Sequence, residues 1–249
     1  MQPVQANTLG LDLEPTHGTL LRERLISVDL RSHAKAAPDS NPCVVVIDDD
    51  PEFRESLGRL LRAVGLQSRM FASVADFLGA ELPEGPTCLV LDVRLPGQSG
   101  LDFQRHLAAA NVTVPIVFMT GYGDIPMTVQ AMKGGAIEFL TKPFRDQDLL
   151  DAVNVGLARD RARRENEGAL SAIRARFEVL MPRERTILFQ VAEGRLNKQI
   201  AGDMGITETT VKVHRSNMMK KIKAGSLVEL CRMVDKLKLQ PEKSDQMSK

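Results

Sequence analysis

From residue 43 onward, short apolar blocks alternate with runs of helical spacing. CVVVI is an unbroken run of apolar, mostly β-branched residues, the pattern of a strand buried on both faces. PEFRESLGRLLRAVG then predicts a helix, with Pro51 in its first turn and Gly65 as a C-cap candidate. QSRMF predicts a weaker strand, VADFLG a short helix, CLVL a buried strand, and LDFQRHLAAA a helix opened by Ser99 and Gly100. PIVFM, IPMTVQAMKGG, IEFL and FRDQDLLDAVNVGL continue as strand, helix, strand and helix. Five such units predict an α/β domain: a doubly wound, five-stranded parallel sheet with helices on both faces.

The helical pattern runs on through ARDRARRENEGALSAIRARFEVL, where alternating charges dominate. Its apolar positions are too sparse to insist on a coiled coil, so an exposed helical linker is expected. Four further helices follow: PRERTILFQVAEG, NKQIAGDMG, TETTVKVHRSNMMKKIK and SLVELCRMVDKLK. Only Gly205 and Ile206 separate the second from the third, and Thr207 is placed to cap the third. A tight glycine turn between two short helices is a helix-turn-helix signature. At the N-terminus, SHAKAAPDSNP reads as a tether, and LLRERLISVDL could form a short amphipathic helix. The expected organisation is a flexible extension over 1–41, the α/β domain over 42–158, the linker over 159–179, a small all-α domain over 180–240 and a polar tail over 241–249.

Composition changes this picture in two ways. The chain of 249 residues is 43% hydrophobic with one Tyr and no Trp, so both cores should be aliphatic. Net charge is only +1, but residues 42–146 carry 9 Lys/Arg against 13 Asp/Glu, whereas residues 180–239 carry 12 against 6. An acidic half and a basic half imply different partners. The apolar runs are far too short to cross a bilayer, and MQPVQANTLGLDLEPTHG lacks the basic start and apolar block of a signal peptide. Cys43, Cys88 and Cys231 are odd in number and lack metal-ligand spacing, which suits a reducing cytoplasm.

In a parallel α/β sheet, function gathers at the carboxyl ends of the strands. Those ends carry Asp48, Asp49 and Asp50, then Asp92, Thr120 and Lys142. Adjacent carboxylates repel by about 4 kcal/mol per pair at 4 Å and an effective dielectric near 20, so either they point apart into solvent or something positive sits among them. Oxygen ligands suit Mg²⁺, which needs few protein donors. Asp92 is then a candidate nucleophile for phosphoryl transfer, with Thr120 and Lys142 suited to the phosphoryl oxygens. Asp50, before Pro51, suits a helix cap instead. GYGDIP half-matches a dinucleotide fingerprint but fails it, because Pro126 stands where the third glycine is needed.

VVVIDDDPEFRESL, LVLDVRLPGQSGLDF, PIVFMTGYGD and IEFLTKPF resemble, in order and spacing, the motif blocks of bacterial response-regulator receiver domains. The resemblance implies Asp49 as a direct Mg²⁺ ligand, Asp48 acting mostly through water, and the backbone carbonyl of Val93 as a further ligand. It implies Asp92 as phosphoacceptor and Thr120, Lys142 and Phe139 as the switch residues. Phe139 lacks the hydroxyl that a Tyr-containing variant of the family would bring. The region from about 180 to 240 resembles the LuxR/FixJ-type helix-turn-helix, with Met181 where the family usually has a capping Thr. TVKVHRSNMMKKI would be the recognition helix. Lys212, Val213 and Ser216 would then read base edges. His214, Arg215, Lys220 and Lys221 would meet phosphates, helped by Lys198 and by Thr209 or Thr210. Spacing turns Val211, Met218 and Ile222 toward the core and Met219 toward the other side.

Together these resemblances imply a two-component response regulator of the FixJ/NarL type, which is not an enzyme beyond accepting a phosphoryl group on Asp92. The implied partners are a sensor histidine kinase, double-stranded DNA, RNA polymerase if it activates, and a second copy when phosphorylated. One alternative is a DNA-binding regulator that uses the receiver only to dimerise, independently of phosphorylation. A Mg²⁺-dependent phosphohydrolase would need a second acid two residues after its nucleophile, and position 94 is Arg.

Overall fold

The computed structural model describes residues 41–81 and 83–237. Apart from residue 41, the expected N-terminal extension lies outside the described residues, as does the polar tail. The chain divides into two compact units, meeting at Arg164 and Glu165.

The first unit holds β1 (Cys43–Ile47), α1 (Pro51–Ala63), β2 (Gln67–Phe71), α2 (Val74–Gly79), β3 (Thr87–Asp92), α3 (Gly100–Ala109), β4 (Ile116–Thr120), α4 (Ile125–Lys133) and β5 (Glu138–Thr141). All strand pairs are parallel, in the order β2-β1-β3-β4-β5. Alternation along the strands sorts the core into two layers. Val45, Ile47, Leu89, Leu91 and Phe118 pack on one face with Phe77, Phe103 and Leu107. Val44, Val46, Val90, Val117 and Met119 pack on the other with Leu57, Leu61, Leu149 and Val153. The central strands β1, β3 and β4 are fully buried, which accounts for their unbroken apolar runs, whereas β2 is partly exposed at the edge.

The helix α5 (Asp146–Glu178) begins in the first unit and runs beyond it. Its continuation was expected to be an exposed linker, yet both its ends carry buried side chains. Asp160 is 1% exposed; it accepts the Thr87 N–H at 2.9 Å and pairs with Arg163 and Arg164, while Phe177 joins the core of the second unit. Charge density concealed these anchors, because an acid saturated by arginines reads in sequence as a solvated one.

The second unit holds α6 (Pro182–Ala192), α7 (Asn197–Met204), α8 (Glu208–Ile222) and α9 (Leu227–Leu237). Its core gathers Ile187, Leu188, Ile200, Val211, Met218, Ile222 and Leu230. Gly205 adopts φ 63°, a left-handed conformation that favours glycine, and so lets α8 leave α7 within three residues. Thr207 Oγ1 caps α8 by accepting the Thr210 N–H at 3.1 Å. Met219 packs partly against this core rather than facing away from it, because its long, flexible side chain reaches the edge of the apolar layer.

Candidate functional site

Strand register delivers the acidic residues to one edge. Ile47 lies level with Leu91, so Asp48 and Asp92 leave neighbouring strands side by side. Thr120 is level with Thr141, which brings Lys142 out beside them. The Lys142 N–H also donates to the Thr120 carbonyl at 2.8 Å, and the Lys142-Pro143 bond is cis.

Lys142 Nζ lies 2.6 Å from Asp48 Oδ2 and 2.7 Å from Asp92 Oδ2. The other oxygen of each acid is held by backbone: Asp48 Oδ1 accepts the Asp50 N–H at 2.9 Å, and Asp92 Oδ1 accepts the Arg94 N–H at 2.8 Å. Burial is the largest influence on both Asp48 and Lys142 and favours their neutral forms. At Asp48 it wins, raising the carboxyl above its ordinary range despite Lys142. At Lys142 the hydrogen bonds and charges of two carboxylates outweigh it, so the ammonium titrates higher than usual.

Asp49 is exposed beside the buried pair. One oxygen from each of Asp48, Asp49 and Asp92 falls within 4.8 Å of the others. Mg²⁺ binds oxygen at about 2.0–2.1 Å and retains waters, so direct ligands lie within about 4 Å of one another. Three carboxylate oxygens within 4.8 Å of one another suit a hydrated Mg²⁺. Val93 leaves this donor set. Its carbonyl accepts hydrogen bonds from the Gly100 N–H at 3.0 Å and Ser99 Oγ at 3.2 Å, which takes up both lone pairs at the start of α3. Asp50 caps α1, accepting the N–H groups of Glu52 and Phe53 at 2.9 and 3.2 Å.

Thr120 is fully buried, and its Oγ1 accepts the Tyr122 N–H at 3.2 Å. Phe139 is half-buried, packing on the core with its ring 6.3 Å from that of Phe118. Two contacts here escaped sequence reasoning: Lys142 Nζ sits 3.9 Å from the centre of the Phe53 ring, and the Arg94 guanidinium lies 4.6 Å above Tyr122. Nothing in a linear pattern marks either pair.

In the second unit, Lys212, Val213, Ser216 and Lys220 are exposed on α8, as are Thr209 in its first turn and Lys198 on α7. His214 is half-buried. Thr210 is half-buried too, its hydroxyl 2.8 Å from that of Thr207. Arg215 Nη1 donates to Asn197 Oδ1 at 3.1 Å, tying α8 to the start of α7. Lys221 does not serve as a free cation: it donates at 2.7 Å to Glu184, whose side chain is 5% exposed. Glu184 also accepts the Met181 N–H at 2.9 Å, taking over the start of α6 where Met181 offers no capping oxygen. Burial alone would raise the Glu184 carboxyl, but the Lys221 ammonium and the Met181 N–H hold it below its usual value.

A parallel sheet with an acid–lysine pocket at its carboxyl edge, followed by a helix-turn-helix unit, defines a receiver coupled to a DNA-binding domain. Residues 44–154 match the response regulator receiver domain, and residues 178–234 match the luxR family of bacterial regulatory proteins. Nodulation protein W of Bradyrhizobium diazoefficiens is 50% identical over 203 residues, which span 82% of this chain and 89% of that protein. The transcriptional regulatory protein FixJ of Azorhizobium caulinodans is 45% identical over 196 residues, 79% of this chain and 92% of that one. The solved structure of the response regulator StyR superposes with a TM-score of 0.74 at 47% identity, covering 79% of this chain and all of StyR. The chain belongs to the response regulators of two-component systems that carry a LuxR-type DNA-binding domain. Among the described residues, no helix is long and apolar enough to cross a membrane.

Proposed function

We propose that Asp92 is the phosphoacceptor and that its phosphorylation controls DNA binding by the second unit. The observation carrying this reading is the convergence of Asp48, Asp92 and Lys142, in which one ammonium bridges two carboxylates. An Asp92 oxygen attacks the phosphorus of a phosphohistidine on a sensor kinase; the P–N bond breaks, the P–O bond forms, and the imidazole leaves. Asp48, Asp49 and Asp92 would hold Mg²⁺, which supplies positive charge against the incoming phosphoryl group. Lys142 moves its interaction from the Asp92 carboxylate to a phosphoryl oxygen, and the Thr120 hydroxyl turns to donate to another. Phe139, on β5, follows through its packing against Phe118 on β4, altering the surface of the receiver.

In the second unit, Lys212, Val213 and Ser216 read base edges in the major groove. Arg215, His214, Lys220, Lys198 and Thr209 meet the backbone, and Thr210 supports the start of the helix. Phosphorylation favours a homodimer that reads two half-sites, working in the cytoplasm and recruiting RNA polymerase where it activates. The protein catalyses nothing beyond its own phosphorylation. The intact acidic pocket speaks against a receiver kept only for dimerisation.

Incubation with Mg²⁺ and acetyl phosphate tests the acceptor: the protein should be labelled and Asp92→Asn should not. Equal labelling of the two proteins overturns the assignment. For the DNA reading, Lys212→Ala should weaken operator binding across a salt series, and unchanged binding removes Lys212 from the interface.

A further inference from the structure

Lys142 has three N–H donors, and two of them point to carboxylates at 2.6 and 2.7 Å. On its remaining side lies the Phe53 ring, with its centre 3.9 Å from Nζ. That distance is well inside the reach of a cation–π contact, in which the negative ring face attracts the ammonium. The ring is itself braced, because Phe144 meets it edge-on at 6.1 Å with the planes 85° apart. Phe53 stands in the first turn of α1 and Phe144 just beyond β5, so the brace on the ring comes from a segment distant in sequence. The Lys142 side chain is 19% exposed, leaving little room for water where the ring stands.

We infer that Phe53 is a positioning residue for phosphoryl acceptance, holding the Lys142 ammonium over Asp92 while its hydrogen-bond partner changes. This rests on the reading of Asp92 as acceptor and deepens it. An ammonium bound only by two carboxylates would have to exchange one of them for a phosphoryl oxygen while taking up water on its third side. With the ring in place, that side is already filled by a partner that does not compete for the N–H donors. The cation therefore reaches the phosphoryl group without reorganising its surroundings.

The experiment compares F53L, which keeps apolar bulk and loses the ring face, with F53Y, which keeps the face. In metal-free protein, the ring current should shift the Lys142 Cε protons upfield in wild type and F53Y but not in F53L, read by NMR on lysine-labelled protein. With Mg²⁺ present, F53L should accept phosphoryl from acetyl phosphate about 3- to 30-fold more slowly and bind beryllofluoride correspondingly more weakly, the span of one cation–π contact. F53Y should stay near wild type. If F53L does not fold, F53M carries the same comparison. The inference is overturned if F53L matches wild type in both rate and beryllofluoride affinity, or if F53Y falls as far as F53L, which would assign the effect to packing. Asp92→Asn runs alongside: labelling of that variant would overturn the acceptor reading itself, separately from the ring.

Discussion

Lys221 Nζ donates to Glu184 Oε2 at 2.7 Å, joining the last turn of α8 to the first turn of α6. A lysine at the end of a recognition helix reads in sequence as a phosphate ligand, but here its charge is committed to a carboxylate inside its own domain. The pair ties the end of α8 to the start of α6 within the second unit.

Removing the carboxylate charge should therefore cost stability. Glu184→Gln keeps an accepting oxygen but removes the charge, and is expected to destabilise the second unit by about 1 kcal/mol, the difference between a charge-assisted and a neutral hydrogen bond. Chemical denaturation followed by circular dichroism measures it. The folded carboxyl titrates below its unfolded value, so its stabilisation is complete above about pH 4.5. It is lost as pH falls through the folded value, and Glu184→Gln should flatten that acid limb.

The salt dependence of DNA binding should divide the cations of α8. Each phosphate contact contributes about −0.9 to the slope of log K against log salt. Lys220→Ala, which removes a phosphate contact, should reduce the slope by about that amount, whereas Lys212→Ala, which removes a base contact, should weaken operator binding with little change in slope. Lys221→Ala should leave the slope unchanged while lowering the melting temperature.

Asn197 holds Arg215 from the neighbouring helix. Asn197→Ala frees the guanidinium and should weaken operator binding about 3- to 10-fold, within the range of one hydrogen bond. Asn197→Asp pairs with Arg215 and draws off its charge, so it should lower the salt slope as well. Fluorescence anisotropy across a salt series reads both effects.

In the receiver, Lys142→Met leaves two carboxylates facing one another without a cation. The variant should melt lower than wild type in the absence of Mg²⁺, and added Mg²⁺ should raise its melting temperature more than it raises that of wild type. Thermal scans with and without Mg²⁺ make the comparison; equal responses would mean that Lys142 and the ion do not share the site.

Gly100 starts α3 against β3. A Cβ placed there would lie 2.3 Å from the Asp92 carbonyl oxygen, a backbone atom that cannot step aside. Gly100→Ala should destabilise the receiver by about 1–3 kcal/mol and slow phosphorylation, because the displaced backbone carries Asp92. Denaturation and acetyl phosphate labelling check the two effects together.

The alternation of CVVVI, CLVL and PIVFM with amphipathic runs determined the parallel sheet, since only strands covered on both faces can afford unbroken apolar sequence. Together with the rule that such sheets act at their carboxyl edge, it also determined which strand ends would gather Asp48, Asp92, Thr120 and Lys142. Gly205 and Thr207 marked the helix-turn-helix, because left-handed turns and helix caps are local chemistry. Tertiary structure alone decided which polar groups were already taken. The Val93 carbonyl was spent on Ser99 and Gly100, Lys221 on Glu184, and Asp160 on Thr87 and two arginines. Phe53 came beside Lys142 in the same way, from residues far apart in sequence. Residue type and spacing reveal what a side chain can bond; its partner is fixed by distances that exist only once distant segments pack together.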